Sequence, residues 1–235
     1  MESSIYLLLV LIEYVLLVST AAPFILVNRF SKTPNLGIAI WFLLFFSAMA
    51  ASITAVGIAA WSIIETYYLL QTATNIWLIL AASVAPWLML AFAGILLALS
   101  NQKLEPLFRA AKQFDQLAQL ARREVESFHK AKVYELEIPG FIALTQGYAI
   151  YLSKATFDLP EKQLNAILWH EYGHIRLRHQ RLKRFTSLML QLAPWFVVSR
   201  GFSSEVARLC EIAADKYAMK RVYSKDLAVA RSHFL

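Results

Sequence analysis

His170-Glu171-Tyr172-Gly173-His174 sets two imidazoles four residues apart, with a carboxylate next to the first. On a helix, positions i and i+4 share a face, so both rings can hold one metal ion while Glu171 polarises a water bound to it. This is the chemistry of hydrolysis. Downstream, Glu211-Ile212-Ala213-Ala214-Asp215 repeats the same spacing with two carboxylates. Glu211 supplies a third ligand, and Asp215 an acid that can orient a metal-bound imidazole. Two His and one Glu leave one tetrahedral position open, which is the coordination of a catalytic rather than a structural zinc site. The expectation is one Zn²⁺ per chain, held by His170, His174 and Glu211, with Glu171 as general base and Asp215 in support.

These residues need a helix to carry them. Asp158 and Glu161 have the spacing of an N-cap and its third helical residue, with Pro160 in the first turn, so the helix is expected to start near Asp158 and run beyond His179. Gly173 in its interior costs ~1 kcal/mol against Ala, which points to another backbone passing close by. On a continuous helix His179 is off the ligand face and reads as solvated; His129 and His233 have no partner spacing. Cys210 reads as a small buried residue rather than a soft ligand, and as the single cysteine it excludes an internal disulfide. Tyr217, Tyr223 and His233 are the candidates for an oxyanion donor. Before the helix, Val133 to Ile138 alternates, Pro139-Gly140 breaks the chain, and Phe141 to Thr145 and Tyr148 to Ser153 flank Gln146-Gly147, so a small antiparallel sheet is expected.

The rest of the chain is too apolar for an ordinary soluble domain: 58% of the 235 residues are hydrophobic and only 17% charged. Three spans are expected at about 5–27, 36–64 and 76–99, each long enough to cross ~30 Å of hydrocarbon. Glu13 interrupts the first, either lining a polar cavity or lying near one end without a role. Ala51, Ala55 and Ala59 in the second, and Gly94 and Ala98 in the third, would let the helices pack closely. Arg29 and Lys32 lie between the first two spans, and Lys103, Arg109, Lys112, Arg122 and Arg123 follow the third. No basic residue lies between Glu65 and Asn75. The positive-inside rule therefore places the N-terminus outside and everything after Leu99 in the cytoplasm.

An amphipathic linker helix is expected over 102–132, from apolar positions at helical spacing between Leu104 and Ala121. The net charge of +7 does not mark a nucleic-acid partner, because the basic residues flank apolar segments. Arg176, Arg178, Arg181, Lys183 and Arg184 read as contacts to anionic lipid headgroups. The apolar segment 185–199 is too short to span and would put Glu211 across the membrane from His170 if it did. It is expected to dip into the bilayer and return, lie in the interface or form core, with Pro194 at the bend.

A membrane-spanning N-terminal half followed by a short extended region, His170-Glu171-x-x-His174 and Glu211-x-x-x-Asp215 resembles the integral-membrane gluzincin zinc metallopeptidases. Leu192-Ala193-Pro194-Trp195 with Arg208-Leu209-Cys210-Glu211 is similar to the BlaR/MecR-type antirepressor peptidases. Glu211-Ile212-Ala213-Ala214-Asp215 and Gly140 to Gly147 look more like the HtpX and CAAX-prenyl protease branch. The resemblance implies an α+β membrane protein: a transmembrane region over 1–101, the linker, and a mainly helical zinc peptidase domain over 133–235. An edge strand would lie over its cleft to receive substrate backbone. It further implies a bacterial inner or plasma membrane and protein or peptide substrates: a cytoplasmic repressor in one reading, damaged membrane proteins in another. A scaffold with a vestigial metal site is the non-enzymatic alternative. The twenty residues after Asp215 are too few for the sensor domain of BlaR/MecR-type receptors.

Overall fold

The computed structural model describes residues 2–69, 122–192 and 197–234, with 77, 84, 87–88 and 91 as isolated positions. Its elements are α1 (Glu2–Leu26), α2 (Pro34–Leu69), β1 (Arg122–Phe128), β2 (Ala131–Leu136), β3 (Ala143–Gln146) and β4 (Ala149–Ser153). After the sheet come α3 (Lys154–Phe157), α4 (Glu161–Arg176), α5 (His179–Leu192), α6 (Val197–Ala218) and α7 (Ser224–Ser232). They fall into two compact units, one holding α1, most of α2 and Leu188–Phe202, the other holding Phe30–Ile38, the sheet and the remaining helices.

The described helices of the first unit are largely apolar. Tyr6–Leu26 and Pro34–Ser62, 21 and 29 residues long, are the two helical stretches among the described residues that are long and apolar enough to cross a membrane. Their outward side chains, among them Leu9, Leu16, Phe24, Leu43 and Ile53, are exposed, and a surface of that kind suggests membrane association. Inward, Ala48, Ala51, Ala55 and Ala59 make a buried stripe of small residues on α2, which allows close approach. Tyr14 Oη meets Ser47 Oγ at 2.6 Å. Glu13 stands on an exposed position of α1. The expected third span, 76–99, and the amphipathic positions 102–121 lie outside the described residues apart from the isolated positions above.

Leu188–Phe202 groups with α1 and α2. Phe202 stacks on Phe45 at 4.7 Å and meets Phe42 edge-on at 5.0 Å, and a Cβ on Gly201 would sit 3.3 Å from Pro23. The described part of the apolar segment thus forms the end of α5 and the start of α6; 193–196, with Pro194, lie outside the described residues.

In the second unit the sheet order is β1-β2-β4-β3. β2 and β4 run parallel, with Lys132 opposite Ala149 and Leu136 opposite Ser153. The sheet is therefore mixed, which corrects the antiparallel expectation. The reason is compositional: β2 and β4 hold the buried Val133, Tyr134, Leu136, Ile150, Tyr151 and Leu152, so they take the centre, while the chain between them loops past Gly140 at φ +86 to lay β3 on the far edge. The β3–β4 hairpin turns on Gly147, at φ +61, a conformation that glycine adopts without steric cost. Alternation gives the sheet two faces. Val133, Ile150 and Leu152 join Ala166, Ile167, Tyr172 and Ile175 of α4 in the main core, and Tyr134, Leu136 and Tyr151 cluster on the other side.

Residues 122–128, assigned above to the linker helix, are strand. Arg123 to Ser127 of β1 are all exposed, so no burial pattern marks the strand, and its pairing with β2 comes from backbone bonds with a bulge between Glu124 and Glu126. This charged edge resists further pairing.

The helix that carries the two histidines also differs at both ends. Asp158 closes α3, and Pro160 occupies the cap position of α4 with no side-chain cap bond. The helix ends at Arg176, because Arg178 takes a left-handed φ of 55 and starts a new direction at His179.

The close approach expected at Gly173 is made by α6. A Cβ there would lie 3.2 Å from Ala214 Cα, 3.4 Å from Ala214 O and 3.3 Å from Tyr217 Cδ1. Gly173→Ala gains ~1 kcal/mol of helix propensity but overpacks a backbone contact, which costs ~1–3 kcal/mol. The expected result is a net loss of up to about 2 kcal/mol in denaturant unfolding together with weaker zinc binding. A variant of higher stability and unchanged zinc affinity would show that α6 yields freely.

α6 is held from its opposite side by the segment between α1 and α2. Arg208 forms a bidentate pair with the buried Glu205 at 2.7 and 2.8 Å and reaches Ser31 Oγ at 3.2 Å, while Lys216 Nζ donates to Lys32 O at 2.6 Å. A Cβ on Gly37 would clash at 2.5 Å with Phe30 and 2.9 Å with Leu209.

Candidate metal centre

α4 presents His170, Glu171 and His174, all buried, and α6 presents Glu211 and Asp215 one turn apart beside the Gly173 contact. The ligand atoms of His170, His174 and Glu211 lie within 4.8 Å of one another. His170 Nε2 and His174 Nε2 are 3.2 Å apart, His170 Nε2 and Glu211 Oε2 3.4 Å, and His174 Nε2 and Glu211 Oε1 3.6 Å. A tetrahedron with zinc-ligand arms of ~2.0–2.1 Å has edges of about 3.3 Å. The three donors fit that ion.

Each ligand is backed from behind. Asp215 Oδ1 meets His170 Nδ1 at 2.9 Å, and its other oxygen pairs with Arg231. His174 Nδ1 meets His179 Nδ1, also at 2.9 Å. Lys183 Nζ donates to Glu211 Oε1 at 2.7 Å, and Arg231 Nη2 lies 3.8 Å from Glu211 Oε2. Thr145, on edge strand β3, places its hydroxyl 2.7 Å from Glu171 Oε2 and 3.2 Å from the Glu171 carbonyl.

The electrostatics follow. Burial alone would lower the pKa of His170, but the bonds to Asp215 and Glu211 outweigh it and push the ring up to about 9. Burial works against the Glu211 carboxylate too, yet His170, His174 and Lys183 hold it well below the usual carboxylate range. The pocket is thus built to attract positive charge, and a divalent ion entering it displaces the His170 proton. Burial, with the charges of His174 and Lys183, pushes His179 down to about 3. Burial pushes the Cys210 thiol up to about 12, which leaves it a packing residue rather than a thiolate ligand.

A cavity of about 160 Å³ opens on this cluster, lined by His170, Glu171 and Glu211 and, on its apolar side, by Ala143, Ile167, Leu227 and Phe234. The oxyanion candidates do not line it. Tyr217 packs near Trp169 and Tyr172 with the Arg221 guanidinium 4.1 Å over its ring, Tyr223 is exposed, and His233 bonds Gln163 at 3.2 Å. Four residues at the site escaped the sequence reading. Thr145 and Arg231 carry no spacing signal, Lys183 was grouped with the surface basic residues, and His179 was read as solvated although it is 1% exposed. Its burial follows from the break at Arg178, which nothing in the local composition marks.

Two histidines and a carboxylate on one helix, completed by a carboxylate from a second helix and flanked by a sheet edge, make a candidate metal centre of hydrolytic type. The family model described as Peptidase family M48 matches residues 109–205, which include His170, Glu171 and His174. That match supports a metallopeptidase of this metal-dependent, typically zinc-using family. No curated protein matches the chain.

Proposed function

We propose that the chain is a membrane-bound zinc endopeptidase that cuts protein substrates at the cytoplasmic face. The observation that carries this reading is the tetrahedral spacing of three donors beside a buried carboxylate tethered to an edge strand. Among the described residues β3 pairs with β4 on one side only, so the backbone of an extended substrate can add along its other side. Ala143, on the same strand, lines the cavity whose apolar wall would take a substrate side chain. Glu171, oriented by Thr145, takes a proton from the attacking water and hands it to the leaving amine. Asp215 and His179 hold the two imidazoles with Nε2 facing inward. The chemistry supplied by a bound zinc is polarisation of the scissile carbonyl and a lowered pKa for water.

Comparison of cells carrying the wild-type protein and Glu171→Gln tests this reading: a protein cleaved in the first and intact in the second is the substrate. A repressor would make the role regulatory, a damaged membrane protein one of quality control, and no difference between the cells would favour a scaffold.

The membrane side is supported by the α1–α2 segment. Lys32 lies in Phe30–Ile38, which belongs to the same compact unit as the metal centre, and the positive-inside rule would put this basic loop, and with it the site, on the cytoplasmic side. An even number of crossings then separates Lys32 from Arg122. α2 supplies one, and hydropathy places the other at 76–99. Reporter fusions after Ser31, Ala73, Lys132 and Ser203 are expected to read inside, outside, inside, inside. An outside result at Ser203 with an inside result at Lys132 would break the shared site.

A further inference from the structure

We infer that His179 is a positioning residue of the metal centre: it accepts a hydrogen bond from His174 Nδ1 and so keeps the His174 Nε2 lone pair directed at the metal. The inference rests on the zinc reading above. The 2.9 Å contact joins two ring nitrogens, so one proton lies between them. If His174 donates it, Nε2 is free to ligate; if His179 donates it, His174 carries its proton on Nε2 and cannot. His174 Nε2 converges with His170 Nε2 and Glu211 Oε1 at 3.2 and 3.6 Å, so only the first arrangement builds the donor triangle.

The fold goes out of its way to make this contact. On a continuous helix a residue five positions on is rotated by about 140° from His174, off its face. Instead α4 stops: Leu177 N bonds Gly173 O at 3.0 Å, Arg178 N bonds Ile175 O at 3.1 Å, and Arg178 turns left-handed at φ 55. For a side chain other than glycine that conformation is sterically strained. The turn brings His179 to 1% exposure against His174, their rings 5.0 Å apart and inclined at 73°. The same helix α5 sends Lys183 to Glu211 and Gln180 Oε1 to Gly147 N at 2.7 Å. Its first turn and a half therefore contacts two metal ligands and the hairpin of the edge strand.

The choice of imidazole has a physical reason. Glu171, Glu211 and Asp215 already place three carboxylates around His170 and His174. A fourth, buried behind His174, would add like charge with no cation assigned to it. A neutral ring offers an acceptor without that charge. The two ligating histidines are consequently unlike, His170 backed by a carboxylate and His174 by an imidazole, and carboxylate backing raises ligand basicity.

The test uses the full chain in detergent and measures Zn²⁺ and Co²⁺ affinity by competition with a chromophoric chelator. His179→Leu removes the acceptor and keeps the bulk, and is expected to weaken zinc ~10- to 100-fold. His179→Asn can present its amide oxygen where Nδ1 stood, and is expected to recover most of that loss and the visible spectrum of the wild-type Co²⁺ complex. A folded His179→Leu with wild-type affinity, or a folded His179→Asn as weak as His179→Leu, would overturn the inference. Should neither variant fold, ¹⁵N NMR of the wild-type zinc complex decides: a protonated His174 Nδ1 supports the assignment, and ligation through Nδ1 sinks it. A wild-type protein that binds neither metal would instead overturn the zinc reading itself.

Discussion

Glu171→Gln is expected to lower turnover by ~10²- to 10⁴-fold while leaving zinc at near wild-type stoichiometry. The substitution keeps size and shape in a buried position, and the amide can still meet the Thr145 hydroxyl that now lies 2.7 Å from Oε2. What it loses is the ability to take a proton and return it. None of the three candidate ligands, His170, His174 and Glu211, is touched. Elemental analysis beside cleavage of an identified substrate separates the two effects. Full proteolysis by Glu171→Gln would remove Glu171 as the base, and loss of zinc would mean that its charge, rather than its proton transfer, holds the site together.

The second large effect is expected at Glu211. His174→Ala leaves two protein ligands and should reduce zinc affinity by more than ~10²-fold, beyond the range of changes behind a ligand. Glu211→Ala should be worse, because its carboxylate also neutralises neighbouring cations. Without it Lys183, now 2.7 Å from Oε1, faces an incoming dication uncompensated, while Arg231 keeps its pair with Asp215. Asp215→Ala removes the support of His170 and the pair with Arg231, touches no ligand, and should weaken zinc ~10- to 100-fold. The order Asp215, His174, Glu211, read from chelator competition, is the expected result. A Glu211→Ala protein with full zinc content would exclude it as a ligand.

The parts of this site that depend on helical periodicity are legible in the sequence. His170 and His174 share a face because i and i+4 do, Glu211 and Asp215 likewise, and Gly173 announced the neighbouring backbone that brings the two helices together. What depends on a change of chain direction is not. Arg178 adopts a left-handed conformation although nothing marks it as a glycine-like position, so His179 was placed on the wrong side of a helix that does not exist beyond Arg176. The parallel pairing of β2 with β4 escaped for a related reason: Pro139-Gly140 shows where the chain breaks, not which edge it reaches afterwards. β1 was hidden because an exposed edge strand needs no apolar alternation. Thr145 and Arg231 reach the site from β3 and α7, and contacts between distant elements leave no local pattern.

The clasp between the α1–α2 segment and α6 bears on when the site can exist. Arg208 reaches Ser31 across 177 residues of sequence and Lys216 reaches Lys32 across 184. Contacts of such long range close late, because loop-closure entropy must be met before they contribute. The helix that carries Glu211 and Asp215 is synthesised long after the N-terminal hairpin has left the ribosome, so its docking partner waits through most of translation. The candidate metal site therefore joins residues from parts of the chain made late, and their final spacing depends on contacts with a segment made first.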